Sequence, residues 1–412
     1  MWRYRLLISL LSLPAALFTA WQAWQQRDVR FLRERLGFVH IYHKGSIWVH
    51  AASVGEVNAV MPLIHALLQH HPDRHITLTT STPTGGAVAQ TQLAQLPLNA
   101  THYYLPIDFN WASRRFIDTL QPHCALIMET ELWPNLYRHC AASDIPLLII
   151  NGRISEKTLH APAWLRNRCP EVLSHVSAIL ARSDIDRERY ISLGAAADRV
   201  KTVGNIKLIS PTHTTVKPVS LGRPFMLVAS THDDEELRIA RLWLSIEQRN
   251  QHLLVIVPRH PKRSAAIQQQ LTTLTPHVAV RSRNDTISDT TELYLADTLG
   301  ELPAFIAAAD FVFMGGSLVP VGGHNILEVA QLGKGVLFGP HMETFSDEAA
   351  LFIDAAAGIR VEDDEVLKTC MTTLLEDPVQ AQQLGQNGQR LIAECDHILP
   401  DYIREIEHHC KF

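Results

Sequence analysis

Short apolar runs alternate with longer stretches of mixed polarity along most of the chain. Ser46–His50, His75–Thr80, Ala125–Met128, Pro146–Ile150 and Ala178–Ala181 are too short for helices and read as buried strands. Between them, Val57–Leu68 and Trp133–Cys140 are long enough for crossover helices, an order that predicts a parallel sheet. The rhythm pauses over residues 205–223, where Ile209-Ser210-Pro211-Thr212 leads to Pro218 and Gly222, and this stretch is expected to connect two domains. It restarts with Phe225–Ser230, His252–Pro258 and Phe311–Met314 as strands. Asp233–Ile246 and Asn325–Leu332 are the helices expected there. Three further helical segments, Glu365–Leu375, Val379–Ala393 and Asp401–His408, follow; their pattern does not say which domain they pack on. The expected fold class is α/β, with two Rossmann-like domains facing a central cleft.

The N-terminus breaks this pattern. Leu6–Gln26 carries no formal charge and is apolar from Leu6 to Trp24 apart from a few polar positions. A helix of about 20 residues crosses the roughly 30 Å hydrocarbon layer of a bilayer. Arg3 and Arg5 precede the stretch and Arg27, Arg30, Arg33 and Arg35 follow it, a bias that favours a cytoplasmic location for the remainder. A packed soluble helix and a cleaved signal peptide are the alternatives; cleavage fits less well, because the small-residue cleavage signal is poor and the following segment is arginine-rich. An N-terminal membrane-anchor helix, spanning or lying in the interface, is therefore expected.

Composition changes the picture little. The 412 residues are 46% hydrophobic, enough for two cores, and the formal net charge of -5 comes without a long basic run, so no nucleic-acid partner is expected. Six cysteines are widely scattered and form no CxxC pair, which points to free thiols. The histidines and carboxylates show no closed ligand spacing, so no metal site is expected.

Candidate chemistry sits at strand ends. Ser53-Val54-Gly55-Glu56 follows the first strand; Glu56 is placed either to accept a hydroxyl proton or to complete a capping box with Ser53. Thr82-Pro83-Thr84-Gly85-Gly86 forms a second strand-to-helix turn. Met128-Glu129-Thr130-Glu131-Leu132-Trp133-Pro134-Asn135 puts two acids and a tryptophan after a hydrophobic strand, to orient an acceptor hydroxyl or to start a helix. Lys207, in Gly204-Asn205-Ile206-Lys207, is a charge near the domain junction. In the second half, Ser230-Thr231-His232 precedes an acidic helix start, and Arg259 in Pro258-Arg259-His260-Pro261 has the geometry to pair with phosphate. The sharpest local signal is Gly315-Gly316-Ser317, then Gly322-Gly323-His324-Asn325, then Glu328. Glycines there permit close backbone approach to an anionic ligand; Ser317 and Asn325 offer polar edges, and Glu328 can accept from a ribose.

Taken in order, Trp48-Val49-His50, Ser53-Val54-Gly55-Glu56, the Glu129–Asn135 segment, Gly204-Asn205-Ile206-Lys207, Pro258-Arg259-His260-Pro261 and Gly322-Gly323-His324-Asn325 with Glu328 closely resemble the bacterial 3-deoxy-D-manno-oct-2-ulosonic acid (Kdo) transferases. The resemblance covers roughly residues 1–400, with isoleucine at position 326 where the family often has proline. It implies a GT-B glycosyltransferase fold, with residues 1–35 as membrane anchor and basic juxtamembrane segment, 36–210 as acceptor-binding domain and 211–412 as CMP-Kdo-binding domain with terminal helices. It further implies inverting transfer of Kdo from CMP-Kdo to the tetraacylated lipid A precursor, without a cofactor, in lipopolysaccharide synthesis at the cytoplasmic face of the bacterial inner membrane. By this resemblance Glu56 is the catalytic base, Glu129 and Glu131 support the acceptor side, and Lys207, Arg259, Ser317, Gly322, Gly323, Asn325 and Glu328 serve the donor. A different membrane-associated GT-B nucleotide-sugar transferase and a noncatalytic lipid-binding protein of the same fold are the alternatives.

Overall fold

The computed structural model describes residues 28–94, 96, 99–209 and 216–412. The expected N-terminal anchor helix lies outside the described residues, as do residues 210–215 of the expected interdomain connection. No helix among the described residues is long and apolar enough to cross a membrane. The chain forms two compact units, the first taking the described residues up to Ile209 together with Asp396–Phe412, the second the described residues from there to Cys395.

The first unit is built on a parallel sheet of seven strands: β1 (Ile47–His50), β2 (Ile76–Thr80), β3 (Ala100–Tyr104), β4 (Cys124–Met128), β5 (Leu147–Gly152), β6 (Ala178–Ala181) and β7 (Val200–Thr202). Their order is β3-β2-β1-β4-β5-β6-β7. Every residue of β1, β2, β4, β5 and β6 is buried, the pattern of a sheet covered on both faces. Trp48 illustrates how that core is specified: its ring packs edge-on against Phe116 at 5.3 Å, and its indole N–H donates to Thr79 Oγ1 at 2.9 Å, so the polar atom is paired where water cannot reach. Burying one large apolar side chain of this kind stabilises by about 1.5–3 kcal/mol.

The second unit repeats the plan with β8 (Phe225–Thr231), β9 (Leu253–Pro258), β10 (Val278–Val280), β11 (Leu293–Leu295), β12 (Phe311–Met314), β13 (Gly335–Phe338) and β14 (Gly358–Arg360). All are parallel, in the order β10-β11-β9-β8-β12-β13-β14. In both sheets the strand order reverses once, between β1 and β4 in the first and between β8 and β12 in the second. The loops leaving the carboxyl ends of those neighbours diverge to opposite faces, and the crevice they leave is where open α/β sheets bind ligands.

The terminal helices do not stay together. Asp364–Glu376 and Pro378–Glu394 belong to the second unit, whereas Ile398–Cys410 returns to the first, so assigning all of 211–412 to one domain is corrected here. The cause is specific pairing. Tyr402 is fully buried; its hydroxyl donates to the Gly204 carbonyl at 2.9 Å and accepts from the Asn151 amide at 3.1 Å. Lys201 pairs with Glu405 at 2.7 Å, and the Phe412 ring lies against His71 and His123. Tyr402→Phe would leave a buried amide and carbonyl unpaired and is expected to cost about 1–3 kcal/mol, measured by denaturant unfolding. An unchanged midpoint would show that these bonds contribute nothing.

Candidate functional site

In the first unit the switch point between β1 and β4 gathers three acids and a lysine. Extended Ser53 caps the helix Val54–His70: its hydroxyl oxygen accepts from the Glu56 amide at 3.4 Å. Glu56 reaches back, accepting from the Ala52 amide and the Ser53 hydroxyl, both at 2.9 Å. The expected capping geometry is thus present. It does not exhaust the carboxylate, because each oxygen offers two acceptor directions. Burial pushes the Glu56 carboxyl above its ordinary range; the Ala52 hydrogen bond opposes this and the charge of Glu129 adds to it.

Glu129 stands directly after β4 in a left-handed conformation, φ 55°, uncommon for a residue with a side chain. Its amide donates to Ile150 O at 2.9 Å and its carbonyl accepts from the buried Tyr190 hydroxyl at 3.0 Å, so the backbone on both sides is held. Its carboxylate pairs with Lys207 Nζ at 3.1 Å. Lys207 is aimed by Asn205, whose side chain caps the short turn Ile206–Leu208. Glu131 is tied differently: the Trp133 indole N–H donates to it at 3.0 Å, and Nε2 of the fully buried His50 lies 3.7 Å away. Burial raises the Glu131 carboxyl, but His50, Trp133 and Arg35 outweigh it and hold the group below its usual range.

In the second unit the switch point lies between β8 and β12. Glu235 and Glu236, expected only as favourable charges at a helix start, are both buried. Glu236 accepts from Thr231 Oγ1 at 2.9 Å and pairs with Arg263 at 2.8 Å. Glu235 accepts four backbone N–H groups: His232 at 2.9 Å, Gly316 at 2.7 Å, Ser317 at 3.1 Å and Leu318 at 3.0 Å. The amides of the first glycine turn are therefore already satisfied by the chain itself. Ser317 is likewise spent on the scaffold: fully buried, its hydroxyl donates to Met314 O and accepts from the Gly339 amide at 2.8 Å. Gly322 and Gly323 have φ of 102° and 76°, and a Cβ there would meet Thr344 Oγ1 at 2.5 Å and Met342 Sδ at 2.3 Å. Their lack of side chains lets the 341–344 loop close over the turn.

What faces outward is a different set. Arg259, exposed at the end of β9, has its amide held by Thr231 O at 3.0 Å. Asn325 donates to Glu328 Oε1 at 3.1 Å and accepts from the Leu327 amide at 3.1 Å, which locks its side chain at the start of the five-residue helix Leu327–Gln331. Burial raises the Glu328 carboxyl, against the Asn325 hydrogen bond and the Arg259 charge. His232 and His324 meet Nε2 to Nε2 at 2.9 Å with stacked rings, and His260 lies edge-on to His232 at 5.7 Å. Burial, with the nearby cations, lowers His324 to about 4. Burial also lowers His232, and one ring's Nε2 donates to the other's.

Residues 30–210 match the family model described as 3-deoxy-D-manno-octulosonic-acid transferase (kdotransferase). The 3-deoxy-D-manno-octulosonic acid transferase of Haemophilus influenzae is 33% identical over 379 residues, covering 88% of this chain and 87% of that one. This chain belongs to the Kdo transferase family. The transferase of Bordetella pertussis is 32% identical over 358 residues, 82% of either chain. In fold, the chain is similar to Acinetobacter baumannii MurG, with a TM-score of 0.55 over 88% of this chain and all of that one at 13% identity. The architecture is GT-B, two Rossmann-like units, and as a Kdo transferase the chain is a glycosyltransferase.

Among the residues singled out in the sequence, the transferase fold brings Glu56, Glu129, Glu131 and Lys207 to one switch point and Arg259, Asn325 and Glu328 to the other. Lys207, given a donor role by the resemblance, lies in the first unit, within the domain expected for residues 36–210, and pairs there with Glu129. In the Thr82–Gly86 turn, Thr82 accepts from the Gly85 amide at 3.1 Å, a helix cap. Sequence reasoning missed His50, Glu235 and the His232–His324 pair. The histidines stood within motifs that were given other roles, and Glu235 was read only as an acid at a helix start, a feature too common to single it out.

Proposed function

We propose that the chain transfers Kdo from CMP-Kdo to the tetraacylated disaccharide precursor of lipid A, with inversion and release of CMP. The observation that carries this reading is Glu56, a carboxylate of raised proton affinity at a sheet switch point, backed by the Glu129–Lys207 pair. In its ionised form Glu56 takes the proton of the acceptor 6′-hydroxyl as that oxygen bonds to the anomeric carbon of Kdo. The bond from that carbon to the phosphate oxygen breaks, and CMP leaves with the electron pair. Attack opposite the leaving group inverts the centre. Arg259 offsets the phosphate charge, and Glu328 accepts from the ribose, held in place by Asn325. The scheme calls for no cofactor.

The acceptor is a lipid, and the proposal places the enzyme on the cytoplasmic face of the bacterial inner membrane, held by the Leu6–Trp24 stretch. Exposed aromatic and basic side chains of the first unit fit that setting: Phe38 and Trp111 lie 6.2 Å apart, and the Arg115 guanidinium sits 4.3 Å over the Phe38 ring. Protease protection in intact inside-out and right-side-out vesicles tests the orientation.

Purified protein given CMP-Kdo and the lipid A precursor should release CMP and yield a Kdo-bearing lipid whose mass counts the sugars added. Folded protein that binds donor and gives neither product overturns the proposal. Lys207→Met provides an internal check. Without its cation, Glu129 raises the proton affinity of Glu56 further, so the acidic limb of the pH–rate profile should move to higher pH. A limb that stays in place would separate Lys207 from Glu56.

A further inference from the structure

The glycine turn after β12 has the form of an anion cradle, three successive amides converging on one point, and that point is filled by the side chain of Glu235. The carboxylate is fully buried and takes both oxygens into the cradle, Oε2 on Gly316 and Oε1 on Ser317 and Leu318, while Oε2 also holds the His232 amide. The surrounding backbone is bent to allow this: Ser230, Asp234 and Gly316 all have φ between 56° and 77°. Non-glycine residues at such angles persist only where their surroundings hold them. We infer that Glu235 is a built-in anion and a positioning residue. It ties the three amides into one rigid turn, which sets where Asn325 and Arg259 meet the donor phosphate. By holding the His232 amide it also fixes the imidazole that stacks on His324.

This rests on the donor reading above, and the test separates the two. Amide hydrogen exchange is followed in the full-length protein with and without CMP, the product. Gly316, Ser317 and Leu318 should exchange slowly in the free protein and be unchanged by CMP. Fast exchange there that CMP slows would overturn the inference. No CMP binding at all would overturn the donor reading, while exchange in the free protein still reports on the cradle. Glu235→Ala, emptied of its carboxylate, should bind CMP about tenfold more weakly, the scale of one lost charge-assisted hydrogen bond. Added formate, a carboxylate small enough for the vacated space, should restore binding where chloride at equal ionic strength does not. A folded variant with normal CMP affinity, or equal effects of formate and chloride, would refute the role. If Glu235→Ala does not fold, Glu235→Gln, with the same shape and one acceptor oxygen, should show the same loss as a raised KM for CMP-Kdo with kcat less affected. Unchanged KM would refute it equally.

Discussion

Glu56→Gln is expected to slow Kdo transfer by about 10²–10⁴-fold, the usual contribution of a positioned general base, while CMP binding stays as in the wild type. The structure makes this substitution unusually clean. Glutamine keeps the side-chain oxygen that accepts from the Ala52 amide, and it is itself a capping-box residue, so the start of the helix Val54–His70 remains formed. What disappears is the ability to take a proton. Burial and the neighbouring Glu129 charge hold the Glu56 carboxyl above the ordinary glutamate range, so wild-type turnover should fall as pH drops through that raised value. Stability carries an independent sign. A carboxyl whose folded pKa is raised contributes stability below its unfolded pKa that is lost as pH rises through the folded one. The melting temperature of Glu56→Gln relative to wild type should therefore increase across that window. Near-normal turnover in the variant would remove Glu56 as the base, and a pH-independent difference in melting would contradict its buried, raised carboxyl.

The parts of the molecule that sequence made legible are those where one physical rule dominates. Central strands such as Ile47–His50 and Phe311–Met314 are buried on both faces, so they read as short uninterrupted apolar runs. The strands that went unread are β3, β7, β10, β11, β13 and β14, all but β13 three residues long or carrying polar positions: Ala100-Thr101-His102-Tyr103-Tyr104 lies on a sheet edge, and Val200-Lys201-Thr202 exposes two of its three residues. The expected helix Asn325–Leu332 shortens to Leu327–Gln331, with the Asn325 side-chain oxygen accepting from the Leu327 amide just outside it. Glu129 and Arg259 were legible because each directly follows a predicted strand, and Glu56 because it lies in the first helical turn after one. The pairing of Lys207 with Glu129 was not legible because the two are distant in sequence, and the return of Ile398–Cys410 to the first unit was invisible for the same reason: an amphipathic stripe states that a helix has a partner, not which one. The glycines were read rightly as sites of close approach. What approaches them is the chain's own Glu235, Met342 and Thr344, and a ligand-binding turn and a self-filled one have the same composition.

Arg259→Ala should weaken CMP binding by about 10- to 150-fold, the value of a hydrogen bond to a charged group at 1.5–3 kcal/mol. Arg259 is exposed and acts on Glu328 only through its charge, so its removal should leave folding nearly untouched. Because the cation faces solvent when no ligand is bound, its contribution should shrink as salt rises, and the gap between wild type and variant should narrow. Arg259→Lys keeps a charge and loses the planar fork, so it should recover only part of the affinity. The substitution also reaches Glu328. Burial raises that carboxyl and Arg259 lowers it, so without the arginine its proton affinity climbs further. An ionised Glu328 is the form that accepts from both hydroxyls of a ribose. CMP affinity in the variant should therefore begin to fall, on acidification, at a higher pH than in the wild type, and deoxy-CMP, lacking one hydroxyl, should show a smaller displacement. Unchanged CMP affinity in Arg259→Ala would reject the phosphate role. A normal pH dependence beside a lost affinity would keep Arg259 and reject Glu328 as the ribose acceptor.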